Sequence, residues 1–148
     1  LAGQGHAVTG VDRDAAALAG LQAHGEVIVA DIEAGPWPLA GRHFDAVVVT
    51  NYLWRPLWPH LLGSLAPGGV LICETFADGQ QHIGKPSRAD FLLQPGELLR
   101  TCEGLRIVAY EDCFEGGGQA ARYVQRIAAV VPAAKLSNHL PQFQVQSE

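Results

Sequence analysis

Two aspartates, each closing a short run of β-branched and small residues, are the first groups in this chain whose position suggests chemistry. Val8-Thr9-Gly10-Val11 runs into Asp12, and Val27-Ile28-Val29-Ala30 runs into Asp31. In an open α/β sheet, ligands bind beyond the carboxyl ends of the strands. A carboxylate at the first such end can accept two hydrogen bonds from a ribose diol, and one at the next can accept from an adenine amino group. A third run, 45–50, stops at Asn51 and Tyr52, which add an amide and a phenol beside the same crevice. Together these residues describe a nucleoside pocket. Each has a plainer role beside it. Asp12 sits where an N-cap is common, although Asp14 is the better cap, and Asp31 precedes a Gly35-Pro36 bend that makes a turn in any case.

Other groups with chemical potential are more scattered. Tyr52, Glu74 and His82 are the candidates for a general base, and Arg55 and Lys85 are candidates to stand at a substrate mouth, though charges on loops are ordinarily just solvated. The six histidines show no ligand spacing, and only His82 falls on a segment suited to a lid. Trp37, Trp54 and Trp58 are aromatic enough to floor or roof a pocket, and Trp37, between two prolines, also suits packing of the loop before the third strand. Asp45 reads as a strand-entry residue without chemistry, and Cys73, inside an apolar run, as inert filler.

The elements that must position these residues are short. Strand character falls on 7–11, 27–30, 45–50 and 70–74, with the nearly continuous Val/Ile/Ala composition of strands covered on both faces. A helix capped by Asp14 carries Leu18 and Leu21 and stops at Gly25. A second, over 55–66, holds Pro56 and Pro59 in its first turn and ends at Pro67-Gly68-Gly69. Residues 77–89 form a polar, Gly/Pro-punctuated loop of the kind that serves as a lid. A helix opened by Pro95 and closed by Gly104 follows, then strands over 105–110 and 122–131 joined by a Gly116-Gly117-Gly118 turn, a pair suited to antiparallel contact. The fold class is therefore α/β, mostly parallel with a last antiparallel strand, in one domain over 1–131, with a polar tail over 132–148.

Composition narrows the partners. A chain of 148 residues with 48% apolar residues can bury a core without staples. The net charge of −5, with no basic run, disfavours a nucleic-acid partner. Apolar stretches of about five to seven residues fall far short of the ~20 needed to span a bilayer, so no membrane role is expected. Cys73, Cys102 and Cys113 show neither disulfide nor zinc spacing, and a reducing cytoplasm is the expected home. A homodimer is compatible with all of this. The absence of Met and the start at Leu1 favour a longer parent sequence.

The order Gly10-Val11-Asp12-Arg13-Asp14, Ala30-Asp31-Ile32, Phe44-Asp45-Ala46-Val47-Val48-Val49 and Leu65-Ala66-Pro67-Gly68-Gly69-Val70-Leu71 resembles the class I S-adenosylmethionine-dependent methyltransferases. Glu74-Thr75-Phe76-Ala77, Asp90-Phe91-Leu92-Leu93 and Pro95-Gly96-Glu97-Leu98-Leu99 look like their bacterial small-molecule branch, tellurite-resistance-like or thiopurine-like. The resemblance spans residues 1–131. It implies a Rossmann-like sheet, S-adenosylmethionine as cofactor and methyl transfer to a small-molecule acceptor by in-line displacement. It assigns Asp12, with Arg13 beside it, to the ribose, Asp31 and Ile32 to the adenine, and Asn51 and Tyr52 to the neighbourhood of the transferred methyl. The family's first strand and Gly-rich loop have no counterpart here. In the family that strand lies between those ending at Asp12 and Asn51, so a gap is expected there. Gly3-Gln4-Gly5 follows no strand and reads as a helix C-cap.

Two alternatives stay open. One is a non-catalytic remnant that serves as a structural or partner-binding subunit. The other is a nicotinamide-dinucleotide-binding Rossmann protein, since Asp12 would suit a ribose there too; the Pro67-Gly68-Gly69 turn and the antiparallel last pair argue against it.

Overall fold

The structure, a computed structural model, describes residues 1–116 and 121–133. Gly117, Gly118 and the tail from residue 134 lie outside the described residues. The six strands are β1 (Thr9–Asp12), β2 (Glu26–Val29), β3 (Phe44–Thr50), β4 (Leu65–Phe76), β5 (Arg106–Glu115) and β6 (Arg122–Val130). The short helices are α1 (Ala15–Leu18), α2 (Trp58–Gly63) and α3 (Glu97–Thr101). The strands fall near their expected places, with β4 and β5 longer than their apolar runs.

Local chemistry explains most of the boundaries. Asp14 caps α1, its Oδ1 accepting from the Ala16 N–H at 2.8 Å. The helix nevertheless ends at Leu18, well short of Gly25, because residues 19–24 continue as turns. The helix expected over 55–66 begins as a 3-10 turn (Arg55–Leu57) and ends at Ser64, whose hydroxyl donates to the His60 carbonyl. Pro67-Gly68-Gly69 therefore interrupts β4 and does not stop a helix. The β3 pairing jumps there from Phe44↔Leu65 to Ala46↔Val70, and Gly68 takes the left-handed φ of +78° that the turn needs. Gly5, at φ +87°, caps the 3-10 turn Ala2–Gln4, as its sequence context suggested.

Pairing divides the strands into two sheets. β1 and β2 form a parallel pair, and β3-β4-β6-β5 form a second sheet in which β3 and β4 are parallel and β6 is antiparallel to both neighbours. The two sheets run in the same direction. Arg42, just ahead of β3, donates to Glu26 at 2.7 Å and to Thr9 at 3.2 Å, joining the three strand starts. Tyr52, just past β3, donates from its hydroxyl to Glu33, beyond the end of β2, at 3.1 Å. Between these two bridges β1 and β3 face each other across a cleft, unpaired among the described residues, at the place where the sequence leads one to expect a gap.

The larger sheet buries one face. Leu71, Cys73, Ile127 and Ala129 pack with Leu53, Leu93, Leu98 and Cys102 into one core. On the other face Val48 and Ile72 are paired in register and stand 47% and 46% exposed, as does Val108 in the adjoining bulge at 44%. Among the described residues nothing covers that stripe.

The loop expected over 77–89 is tied down at its base. Buried Gln80 accepts from the Tyr123 N–H and donates to the Lys85 carbonyl, and the Asp78 N–H donates to the Leu93 carbonyl. Gly79 sits directly against the Tyr123 ring at φ +107°, where an added Cβ would come within 2.8 Å of it. Gly79→Ala is therefore expected to lower stability by roughly 1–3 kcal/mol through overpacking and backbone strain, read as a fall in the urea midpoint at unchanged slope. An unchanged midpoint would mean that this loop does not depend on the contact.

Candidate functional site

The cleft has a volume of about 500 Å³ and is lined along β1 and β3 and by residues 30–33 just past β2, so that the carboxyl ends of all three strands border it. Asp12, Arg13, Asp31, Ile32 and Tyr52 all line it, so five residues singled out from the sequence meet in one place. Asn51 lies exposed on the same rim between the lining residues Thr50 and Tyr52.

Each carboxylate is held by its own backbone. Asp12 Oδ1 accepts from the Asp14 N–H at 2.9 Å, and Asp31 Oδ1 accepts from the Glu33 and Ala34 N–H groups at 2.9 and 3.0 Å. These Asx-type bonds answer the plainer turn reading of both residues. Each carboxylate keeps its second oxygen without a hydrogen bond among the described residues. The Ala34 and Glu33 N–H groups hold Asp31 below the usual carboxylate range, so it stays ionised.

Asn51 and Tyr52 follow from one backbone event. The Asn51 N–H donates to the Glu74 carbonyl at 2.9 Å, extending the β3-β4 pairing by one residue, and Asn51 then takes φ +53°. Asparagine tolerates that left-handed region better than most residues. Burial first, and then the Glu33 carboxylate to which it donates, push the Tyr52 phenol well above its ordinary range. Tyr52 thus holds its proton at neutral pH and is a hydrogen-bond donor, a correction to its reading as a base.

The remaining candidates are not in the cleft. Glu74 is engaged on both oxygens, by Arg122 at 2.9 Å and Arg126 at 2.8 Å, in a network that includes Glu111 and Glu115. Both its oxygens are committed to this ion-pair network and it is not among the residues lining the cleft, so the geometry does not support the general-base role. His82 lies exposed on the 3-10 turn Gln80–His82, away from the lining residues. Arg55 is a structural clamp, not a substrate ligand. Its guanidinium donates twice to Glu97, at 2.7 and 3.0 Å, and to the carbonyls of Asp90 and Leu92. Lys85 reaches the site through neither side chain nor backbone, its carbonyl being taken by Gln80.

Of the tryptophans, Trp37 lines the cleft wall and stacks on His60, with ring centroids 5.6 Å apart. Trp58 packs on the core instead. Cys73 is fully buried, and burial pushes its thiol up to about 12, in keeping with inert filler. Glu33 and Arg42, which bridge the two sheets, went unnoticed in the sequence because isolated charges in turns carry no periodic signal.

No protein-family model and no curated protein matches this chain. Solved structures do. TehB from Haemophilus influenzae superposes with a TM-score of 0.68 at 15% identity, over 86% of this chain and 50% of TehB. A SAM-dependent methyltransferase from Methanosarcina mazei gives 0.65 at 13% identity, over 90% and 85%. The N-methyltransferase NodS from Bradyrhizobium japonicum WM9 gives 0.61 at 20% identity, over 85% and 74%, and has also been solved in complex with S-adenosyl-L-homocysteine. The chain thus has the α/β fold of the SAM-dependent methyltransferases and spans half the length of TehB. No helix among the described residues is long and apolar enough to cross a membrane.

The Arg55 clamp makes a pH-dependent prediction. Burial raises the Glu97 carboxyl, but Arg55 and the Gln94 N–H outweigh it and leave the group below its ordinary value. A depressed carboxylate adds stability above its unfolded pKa and loses it as pH falls through the folded value. The stability difference between the natural chain and Glu97→Gln, measured by urea unfolding, should shrink steadily from pH 7 to pH 3. A difference constant over that range would remove the ion pair as its origin.

Proposed function

We propose that this chain is the adenosine-binding part of a methyltransferase that uses S-adenosylmethionine to methylate a small-molecule acceptor. The observation that carries the reading is the pair of carboxylates at the ends of β1 and β2, each anchored through one oxygen and lining the same cleft as Tyr52. Two carboxylate acceptors one strand apart suit a ribose diol and an exocyclic adenine amine, and half-buried Ile32 between Asp31 and Glu33 suits a face of the base. The donor set therefore fits the adenosine end of the cofactor. Asp12 would accept from the ribose hydroxyls and Asp31 from the adenine, with Arg13 exposed beside them.

When bound, the cofactor supplies an electrophilic methyl on a sulfonium and leaves as a neutral thioether. The protein's contribution to such a displacement is chiefly orientation and exclusion of water. That division suits the side chains present, because Tyr52 keeps its proton, Glu74 is tied to two arginines outside the cleft lining and His82 is not among the lining residues. The acceptor class this favours is one that arrives with its nucleophile already deprotonated, a soft anion in preference to a protonated amine or alcohol.

The open cleft between β1 and β3 favours a second reading, a partner-binding subunit without turnover. The antiparallel β6 between β4 and β5 speaks against the nicotinamide alternative. Calorimetric titration with S-adenosylmethionine and S-adenosylhomocysteine separates the first two. Saturable heat is expected, and Asp12→Ala should weaken it about tenfold or more, the cost of losing a charged hydrogen-bond acceptor. Asp45→Ala, on an exposed strand residue outside the cleft lining, should leave it unchanged. No heat with either ligand would favour the partner-binding reading.

A further inference from the structure

Glu33 joins two walls of the cleft through two different bonds. Its backbone belongs to a turn that is closed tightly. The Glu33 and Ala34 N–H groups donate to Asp31 Oδ1 at 2.9 and 3.0 Å, and the Gly35 N–H donates to the Asp31 carbonyl at 2.8 Å. A Cβ on Gly35 would stand 2.6 Å from that carbonyl oxygen, so a side chain there would force the turn open. From this fixed turn the Glu33 carboxylate reaches the other wall and accepts from the Tyr52 hydroxyl at 3.1 Å. Tyr52 in turn starts from a fixed point, since the Asn51 N–H before it is held by the Glu74 carbonyl at 2.9 Å. Asp31, Glu33 and Tyr52 all line the cleft.

The bond between them has one sense only. An ionised carboxylate accepts and cannot donate, and burial and the Glu33 charge together keep the phenol protonated. A tyrosine tethered at its hydroxyl as well as its Cα has little freedom left to swing. Glu33 is exposed and Tyr52 only half-buried, so a bond here contributes little to the stability of the fold. Its effect falls on order instead. A wall ordered before a ligand arrives does not have to be ordered by the ligand, and binding is tighter by that amount.

We infer that Glu33 is a positioning residue of the nucleoside site, whose carboxylate straps the Tyr52 ring across the cleft so that the ring bounds the space in which the nucleoside lies. The ligand's part in this rests on the adenosine reading proposed above; the strap itself rests on geometry alone. Glu33 acts through Tyr52 and does not touch the ligand, so its contribution disappears when the Tyr52 hydroxyl is absent. The two tasks of Glu33 are separable. Replacing its side chain by alanine leaves its N–H in place to anchor Asp31, so the carboxylate that accepts from the base stays aimed.

The test is a double-mutant cycle read by calorimetric titration with S-adenosylhomocysteine. Glu33→Ala and Tyr52→Phe should each weaken binding about threefold to tenfold, the cost of ordering one freed side chain. The variant carrying both should bind no more weakly than either alone. Glu33→Gln keeps an acceptor oxygen for the phenol and should recover most of the loss. The inference is overturned if the two losses add, since Glu33 would then act on the ligand directly. It is overturned equally if neither single variant weakens binding, or if Glu33→Gln binds as weakly as Glu33→Ala, which would make the charge and not the strap responsible. The strap is also read without ligand, by nuclear magnetic resonance on chains labelled at tyrosine Cζ. The resonance missing from Tyr52→Phe should titrate at lower pH in Glu33→Ala than in the natural chain, because the carboxylate that holds its proton is gone. An unchanged titration would overturn the strap. No heat from the natural chain would sink the adenosine reading and leave the strap to the tyrosine resonance, whereas heat with additive losses sinks only the role of Glu33.

Discussion

Backbone polar groups withdrawn from water must find partners, and that requirement organises this molecule around the space between β1 and β3. β4 lies between a parallel and an antiparallel neighbour, so its own groups are satisfied, and the core collects on one face of it. β1 and β3 are each paired along one edge. What holds their open edges opposite one another is side-chain chemistry: the guanidinium of Arg42 at the strand starts and the phenol of Tyr52 at the strand ends. Exposed pairs of this kind are weak individually. The relative placement of the two sheets therefore depends on groups that contribute little to stability, while each sheet depends on pairing that contributes much.

The same economy of bonds separates groups that hold the fold from groups left available for a ligand. Arg55, Arg122 and Arg126 spend their donors on carboxylates and carbonyls of the chain itself. Asp12 and Asp31 spend one oxygen each on the turn that aims them and keep the other. A carboxylate fixed in this way has little orientation left to lose on meeting a hydroxyl or amine, which is what preorganised recognition requires. Tyr52 belongs to both sets, since its donation to Glu33 closes the rim and also defines one side of the cleft.

These distinctions were unequally legible in the sequence. Strand positions and the carboxylates at their ends could be read because β-branched runs are local and the ligand-binding edge follows from the topology. The gap, too, was legible, because the resemblance supplied a strand order against which an absence is visible. The fate of Arg55 and Glu74 was not: whether a charge is spent inside the fold depends on partners far along the chain, Glu97 in one case and Arg122 and Arg126 in the other. Pro67-Gly68-Gly69 misled for a related reason. A Pro-Gly pair marks a sharp turn but does not say which element it interrupts, and Ser64 had already ended the helix.

A fold shared at low identity constrains architecture and leaves chemistry to the site. The three groups that might have served as a base are each disabled for a different physical reason. Tyr52 is kept protonated by burial and a neighbouring carboxylate, Glu74 is committed to an arginine network outside the cleft lining, and His82 is not among the lining residues. A proton-abstracting enzyme with this arrangement would need its base from elsewhere. A displacement that consumes the charge of its own donor has no such need, provided two partners are held in line. On the function proposed above, holding one of them falls to Asp12 and Asp31, whose turn-anchored carboxylates line one cleft. On the same reading the other meets the cleft from its open side, so the shape of the space between β1 and β3 and the class of acceptor are a single physical question.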